Sequence, residues 1–148
     1  AGDVAAVKKG LAEGVIDVIA TDHAPHAPSE KRTDFMAAPF GIIGLQTALP
    51  LTLALVREGV LSLADALGKL TIGPASLLGI PGGVLSEGGP ADITVVDPDF
   101  EYEFDESMVV SKSRNSPFIG MKLKGMVLAT IMGGRVVWQR SGPDTGCR

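Results

Sequence analysis

The sequence predicts an α/β fold that gives way, past its middle, to antiparallel β structure. Three observations carry this. An apolar helical pattern closed by Gly14 runs straight into the β-branched run VIDVIA at 15–20, and a helix feeding a short apolar strand is the αβ step of an α/β protein. Further apolar helical stretches follow as far as Pro81-Gly82-Gly83. Beyond that point the residues alternate as strands do and carry a two-glycine hairpin signal at Gly133-Gly134.

Taken in order, Val4, Val7, Leu11 and Val15 recur at helical spacing, with Lys8, Lys9 and Glu13 on the other side and Gly14 as the stop. VIDVIA, with one polar residue, reads as a buried strand of the parallel type. Residues 21–39 are polar, proline-bearing and aperiodic, a long loop of the kind that in compact domains is functional or disordered. From about 41 to 57 the chain is apolar on most sides, a buried helix that Pro50 is expected to kink and Gly59 to close. A second helix runs from about 63 to 70, with Ser62 as N-cap and Asp65 favouring its start. A short helical turn follows Pro74 and ends at Gly79. ADITVVDP and FEYEF then read as strands, 105–122 as a connecting segment, GMVLATIMGGRVVWQR as a hairpin and SGPDTGCR as a loose tail. The expected division is 1–81, 82–140 and a tail over 141–148.

Composition bounds the function classes. The chain has 148 residues, 45% hydrophobic and 20% charged, with a net charge of −4. That is a soluble globular composition, and its mild acidity offers no attraction to nucleic acid or anionic lipid. The single cysteine, Cys147, excludes an intrachain disulfide and fits a reducing compartment. The opening AGDVAAVKKG lacks the apolar core of a secretory signal, and no apolar run reaches membrane-spanning length. The expectation is a cytoplasmic protein without a nucleic-acid or membrane partner.

The motif that stands out is Thr21-Asp22-His23-Ala24-Pro25-His26, immediately after VIDVIA. In (β/α) barrels the C-terminal ends of the strands carry the catalytic groups. An aspartate there can give one oxygen to a metal and accept a proton on the other, and zinc takes both Asp and His ligands. The spacing by itself leaves two readings open. Asp-His after a strand is also a common loop hydrogen bond or helix cap, and zinc needs three or more protein ligands.

The strings IDVIATDHAPH, SEKR…AAPFGIIGLQTALPL, GGPADITVVDP and SRNSPFIGMKLKGMVLATIMGGRVV, in this order, resemble the C-terminal part of bacterial type I dihydroorotases of the amidohydrolase superfamily. The likeness runs from about 10 to 140. TDHAPH and GxxADxxxxDP occur across cyclic amidohydrolases, and the combination with APFGIIGLQTALPL and SPFIG points to dihydroorotase. The resemblance implies the last part of a metal-dependent hydrolase (β/α)8 TIM barrel, with VIDVIA as its eighth strand, plus the C-terminal share of a small β-sandwich. It implies Asp22 as a zinc ligand that also shuttles the proton between attacking hydroxide and leaving nitrogen. His26 matches a substrate-binding histidine, and Phe40-Gly41 match the pair whose backbone contacts the pyrimidine ring. The Phe40 side chain is expected to pack, His23 to be structural, and Trp138 and Tyr102 to belong to the sandwich.

The family's H-x-H pair, its bridging carboxylated lysine or aspartate, two later histidine ligands, and the arginine and asparagine that hold the substrate carboxylate have no counterpart here. Both histidines of the chain sit in the one motif. Either the chain is a fragment of a longer product or the rest was lost, and alone it is expected to be inactive. The implied activity is reversible, zinc-dependent hydrolysis (one or two ions) of the ring amide of L-dihydroorotate to N-carbamoyl-L-aspartate in pyrimidine synthesis. The alternatives are an allantoinase or hydantoinase, or a non-catalytic dihydroorotase-like subunit that scaffolds aspartate transcarbamoylase. Expected partners are the small-molecule substrate and either a second copy or aspartate transcarbamoylase.

Overall fold

The structure, a computed structural model, describes residues 2–140. Its elements are α1 (Gly2–Ala12), α2 (Pro28–Lys31), α3 (Ala48–Arg57), α4 (Leu63–Gly68), α5 (Ile72–Leu78), β1 (Ile93–Glu103), a 3-10 turn (Glu106–Met108), β2 (Lys122–Met132) and β3 (Arg135–Gln139). Helices precede strands, as expected, and the strands form one antiparallel sheet in the order β1-β2-β3. The expected loose tail, with Cys147 in it, lies outside the described residues.

In the helical half, α1 gives way to Gly14 at φ 72°. Leu11 is its buried residue, whereas Val4 and Val7 of the same apolar stripe are more than half exposed. α4 starts as its sequence specifies: Ser62 Oγ accepts from the Asp65 amide at 3.1 Å, which satisfies one of the orphan donors of the first turn. α5 ends on Gly79 in the left-handed region at φ 64°. Leu11, Leu61 and Ala66 make one core, with Ile16, Ile19 and Leu55 packed on it.

Two helical expectations are corrected. α3 starts at Ala48, not near 41, so Pro50 is its third residue. A first-turn amide has no intrahelical acceptor to lose, so the buried proline sits where it breaks no helical bond and not mid-helix, where the kink was expected. The long loop over 21–39 contains α2, a single turn opened by Pro28.

The larger correction concerns 15–20, which forms no strand. The amides of Val15 and Ile16 bond back to the Gly10 carbonyl at 2.9 and 3.1 Å, and that of Ile19 reaches the Lys69 carbonyl at 3.0 Å. A parallel strand needs neighbours for its ladder, and among the described residues none runs beside this segment. One parallel bridge forms just past it, between His23 and Ile42.

In the strand half, ADITVVDP and FEYEF merge into the single strand β1, with a register shift between Asp97 and Glu101, around a proline that cannot donate to the ladder. Gly133 and Gly134 take φ 55° and 76°, the paired positive values that a two-residue hairpin requires. A second core gathers Ile43, Phe104, Val109 and Leu123, with Phe118 and Ile119 against it. The connecting segment over 105–122 therefore folds back into the core, and that brings it against the loop carrying TDHAPH.

Candidate active site

Asp22 lies two residues past the 15–20 segment and is exposed. Its φ of 44° is the one positive value on a non-glycine among the described residues. Aspartate tolerates this region better than most residues, yet the conformation is sparsely populated, and such strain collects at functional sites.

From Asp22 the chain leaves as a loop and returns alongside itself. The Ala24 amide donates to the Ile42 carbonyl at 2.9 Å, next to the His23–Ile42 bridge, and closes the neck of the loop. His23 Nδ1 accepts from the Gly44 amide at 3.1 Å, the structural use expected of it. With Nδ1 accepting, a neutral ring carries its proton on Nε2. Inside the loop Lys31 Nζ donates to the carbonyls of Pro39 and Gly41 at 2.6 and 2.8 Å.

The structure brings His26 and Gly41 together. The His26 side chain is about three-quarters buried and its Nδ1 lies 3.7 Å from Glu30 Oε2. Gly41 has φ 105°, and a Cβ there would stand 2.5 Å from Ala24 Cβ and 3.6 Å from His26 Nε2. Ala24 already fills the space a side chain would need, so with its positive φ the position requires glycine. Phe40 departs from expectation: it is 96% exposed and does not pack.

Three residues that hold this loop had no role assigned from sequence. Asn115 Nδ2 donates to the carbonyls of Ala24 and Gly41 at 3.0 and 3.2 Å, and its Oδ1 faces the His26 amide at 3.5 Å. Its backbone carbonyl accepts from the Ile43 amide at 3.1 Å. The buried Ser113 donates its hydroxyl to the His26 carbonyl. Lys31 is the third. The string SRNSPFIG marked the region, but contacts across 74 to 91 positions leave no trace in local periodicity.

Zinc, the metal the resemblance implies, fits the Asp22 carboxylate as a donor but not this chain as a whole. Among the described residues no group of three His, Cys, Asp or Glu side chains gathers to hold an ion, and a zinc site takes at least three protein ligands. What the loop itself offers is an exposed carboxylate able to take a proton and a shielded imidazole beside glycine backbone.

A model of the amidohydrolase family matches residues 1–137. Among curated relatives, the dihydroorotase of Syntrophotalea carbinolica is 53% identical over 94% of this chain and 33% of its own length. That of Endomicrobium trichonymphae is 56% identical over 93% of this chain, again 33% of its own length. The chain thus spans about a third of the curated relatives it matches. A D-hydantoinase structure superposes with a TM-score of 0.84 at 25% identity, covering 93% of this chain and 32% of that one. The L-hydantoinase of Arthrobacter aurescens gives 0.82 at 33% identity over 92% of this chain and 32% of its own. These likenesses agree with an α/β architecture ending in a small sheet, and on them the chain belongs to the amidohydrolase family.

Proposed function

We propose that the whole protein to which these residues belong is a dihydroorotase, hydrolysing the ring amide of L-dihydroorotate to N-carbamoyl-L-aspartate and running the reverse closure. The observation that carries this is the loop itself. A strained, exposed aspartate, a shielded histidine and a glycine backbone edge stand on one cross-linked segment, in a chain about half identical to proteins named dihydroorotase. Residues 1–81 are assigned to the end of a (β/α)8 barrel and 82–140 to the C-terminal share of a β-sandwich. Within the barrel, neighbouring strands supply the ladder that 15–20 lacks.

Asp22 is assigned two tasks, one zinc contact and proton transfer. When bound, zinc supplies Lewis acidity at the ring carbonyl. In the hydrolytic direction a water oxygen bonds to the carbonyl carbon, Asp22 takes the water proton, the carbon–nitrogen bond breaks, and the proton passes to the departing ring nitrogen. His26 binds substrate through its imidazole, and the Phe40-Gly41 backbone faces the ring through groups other than the Gly41 carbonyl, which Lys31 and Asn115 occupy. The partners are the substrate and a second copy or aspartate transcarbamoylase, in the cytoplasm. Among the described residues, no helix is long and apolar enough to cross a membrane.

The hydantoinase reading draws on the fold likeness, at 25% and 33% identity. The test compares dihydroorotate, allantoin and a 5-substituted hydantoin on one zinc-loaded preparation of the full-length protein. Dihydroorotate should lead in kcat/KM by several orders of magnitude, because a site built around one ring's donors and acceptors rejects analogues that leave them unpaired. Equal or better turnover of either competitor moves the protein to a neighbouring amidohydrolase activity.

A further inference from the structure

We infer that Asn115 is a positioning residue, fastening the loop that carries Asp22, His26 and Gly41 so that the histidine and the glycine edge are presented to substrate as one unit. The inference rests on the dihydroorotase reading for its catalytic consequence and on geometry alone for the fastening.

The loop from Asp22 to Gly41 is nearly free of regular structure, with α2 as its single helical turn. Few of its backbone groups are satisfied by helix or sheet, so other partners must hold its shape. One amide side chain supplies three of these partners. Asn115 Nδ2 has two hydrogens, and they go to carbonyls on opposite strands of the neck, Ala24 on the outgoing side and Gly41 on the returning side. Its Oδ1 faces the amide of His26, and Ser113, two residues away, takes the carbonyl of the same histidine. Both backbone groups of His26 therefore point to the 113–115 segment, while its Nε2 stands 3.6 Å from where a Cβ on Gly41 would be.

The anchoring segment is itself fixed. The Asn115 carbonyl accepts from Ile43, Ser113 is 5% exposed, and Phe118 and Ile119 pack on the Ile43–Phe104 core. Asn115 is thus held on the core side and reaches out to the loop. Lys31 also bonds to the Gly41 carbonyl, but it rides on the loop and cannot tie it to the body. Asparagine is specified by chemistry: aspartate keeps the acceptor for His26 but loses both donors and sets a negative charge against two carbonyl oxygens.

The test uses the full-length protein with Asn115→Ala, Asn115→Asp and Ser113→Ala. Amide hydrogen exchange over 22–41 should speed up in both Asn115 variants while exchange in α3 and the sheet stays at the parent rate. In steady state the KM for dihydroorotate should rise about tenfold, the scale of one or two lost hydrogen bonds, with kcat changed much less and zinc content unchanged. Asn115→Asp should be no better than alanine, although it preserves volume. Parent exchange over 22–41 in a folded Asn115→Ala protein, or an aspartate variant with parent KM, overturns the inference. If Asn115→Ala does not fold, the aspartate and Ser113→Ala variants decide by the same two readouts. A parent that does not turn over dihydroorotate refutes the activity and leaves the exchange result to judge the fastening.

Discussion

At the scale of single residues, the backbone of Asp22 separates its structural cost from its chemical use. The left-handed conformation costs a Cβ-bearing residue on the order of 1 kcal/mol, and asparagine accepts it as readily as aspartate. Asp22→Asn in the full-length protein should therefore fold normally and lose turnover in both directions, by about 10²–10⁴-fold for a missing base alone. Residual activity above roughly one per cent places the base elsewhere. Asp22→Gly removes the strain but adds chain entropy in the unfolded state. Its melting temperature should stay near the parent value while turnover is lost, a pairing that ordinary destabilisation cannot produce. His26→Ala tests a different division of labour. KM for dihydroorotate should rise while zinc content, measured by atomic absorption, stays at the parent stoichiometry. Stoichiometric metal loss reassigns His26 as a ligand.

At the scale of elements, the ends of helices and the turns are where local chemistry decides. The Ser62 hydroxyl caps α4, so Ser62→Ala should cost about 1 kcal/mol in a denaturation experiment on the folded protein, with activity unaffected. An unchanged midpoint rules the cap out as a contributor. Gly125 is an opposite case, visible only in three dimensions. A Cβ there would sit 2.5 Å from Leu53 Cδ1, and its φ is 111°. This contrast explains what the sequence could reveal. The Ser62 cap, the Gly79 stop and the Gly133-Gly134 turn each depend on residues within a few positions, and each is present where the pattern put it. The strand over 15–20 depends on neighbours in space, which periodicity cannot supply. Pro50 was legible as a proline but not its place in the helix, because the start of α3 is set by the turn before it. At the site, TDHAPH marked the loop, yet Asn115 and Ser113 were invisible as anchors, since side chain to backbone bonds across the fold have no local signature.

At the scale of the whole molecule, apolar surface lies open on several faces of the described residues. A groove of about 470 Å³ between α1, the 15–20 segment and α3 is lined by Val7, Ile16, Ile19, Ile42, Leu51 and Leu55. Val15 at 73%, Val110 at 87% and Val136 at 61% add exposed apolar surface elsewhere. Residues 15–20 beside the groove also have no ladder partner among the described residues, and backbone left without one recruits other chains. Both features favour association over a free monomer. The 148-residue chain expressed alone should therefore sediment as a concentration-dependent oligomer or precipitate, bind a hydrophobic dye in its soluble fraction, and melt over a broad range. Velocity sedimentation and calorimetry at several concentrations check this. A monomer with one sharp, concentration-independent transition would mean that the groove closes by itself, and that the assignment of 15–20 to a sheet completed by other strands is wrong.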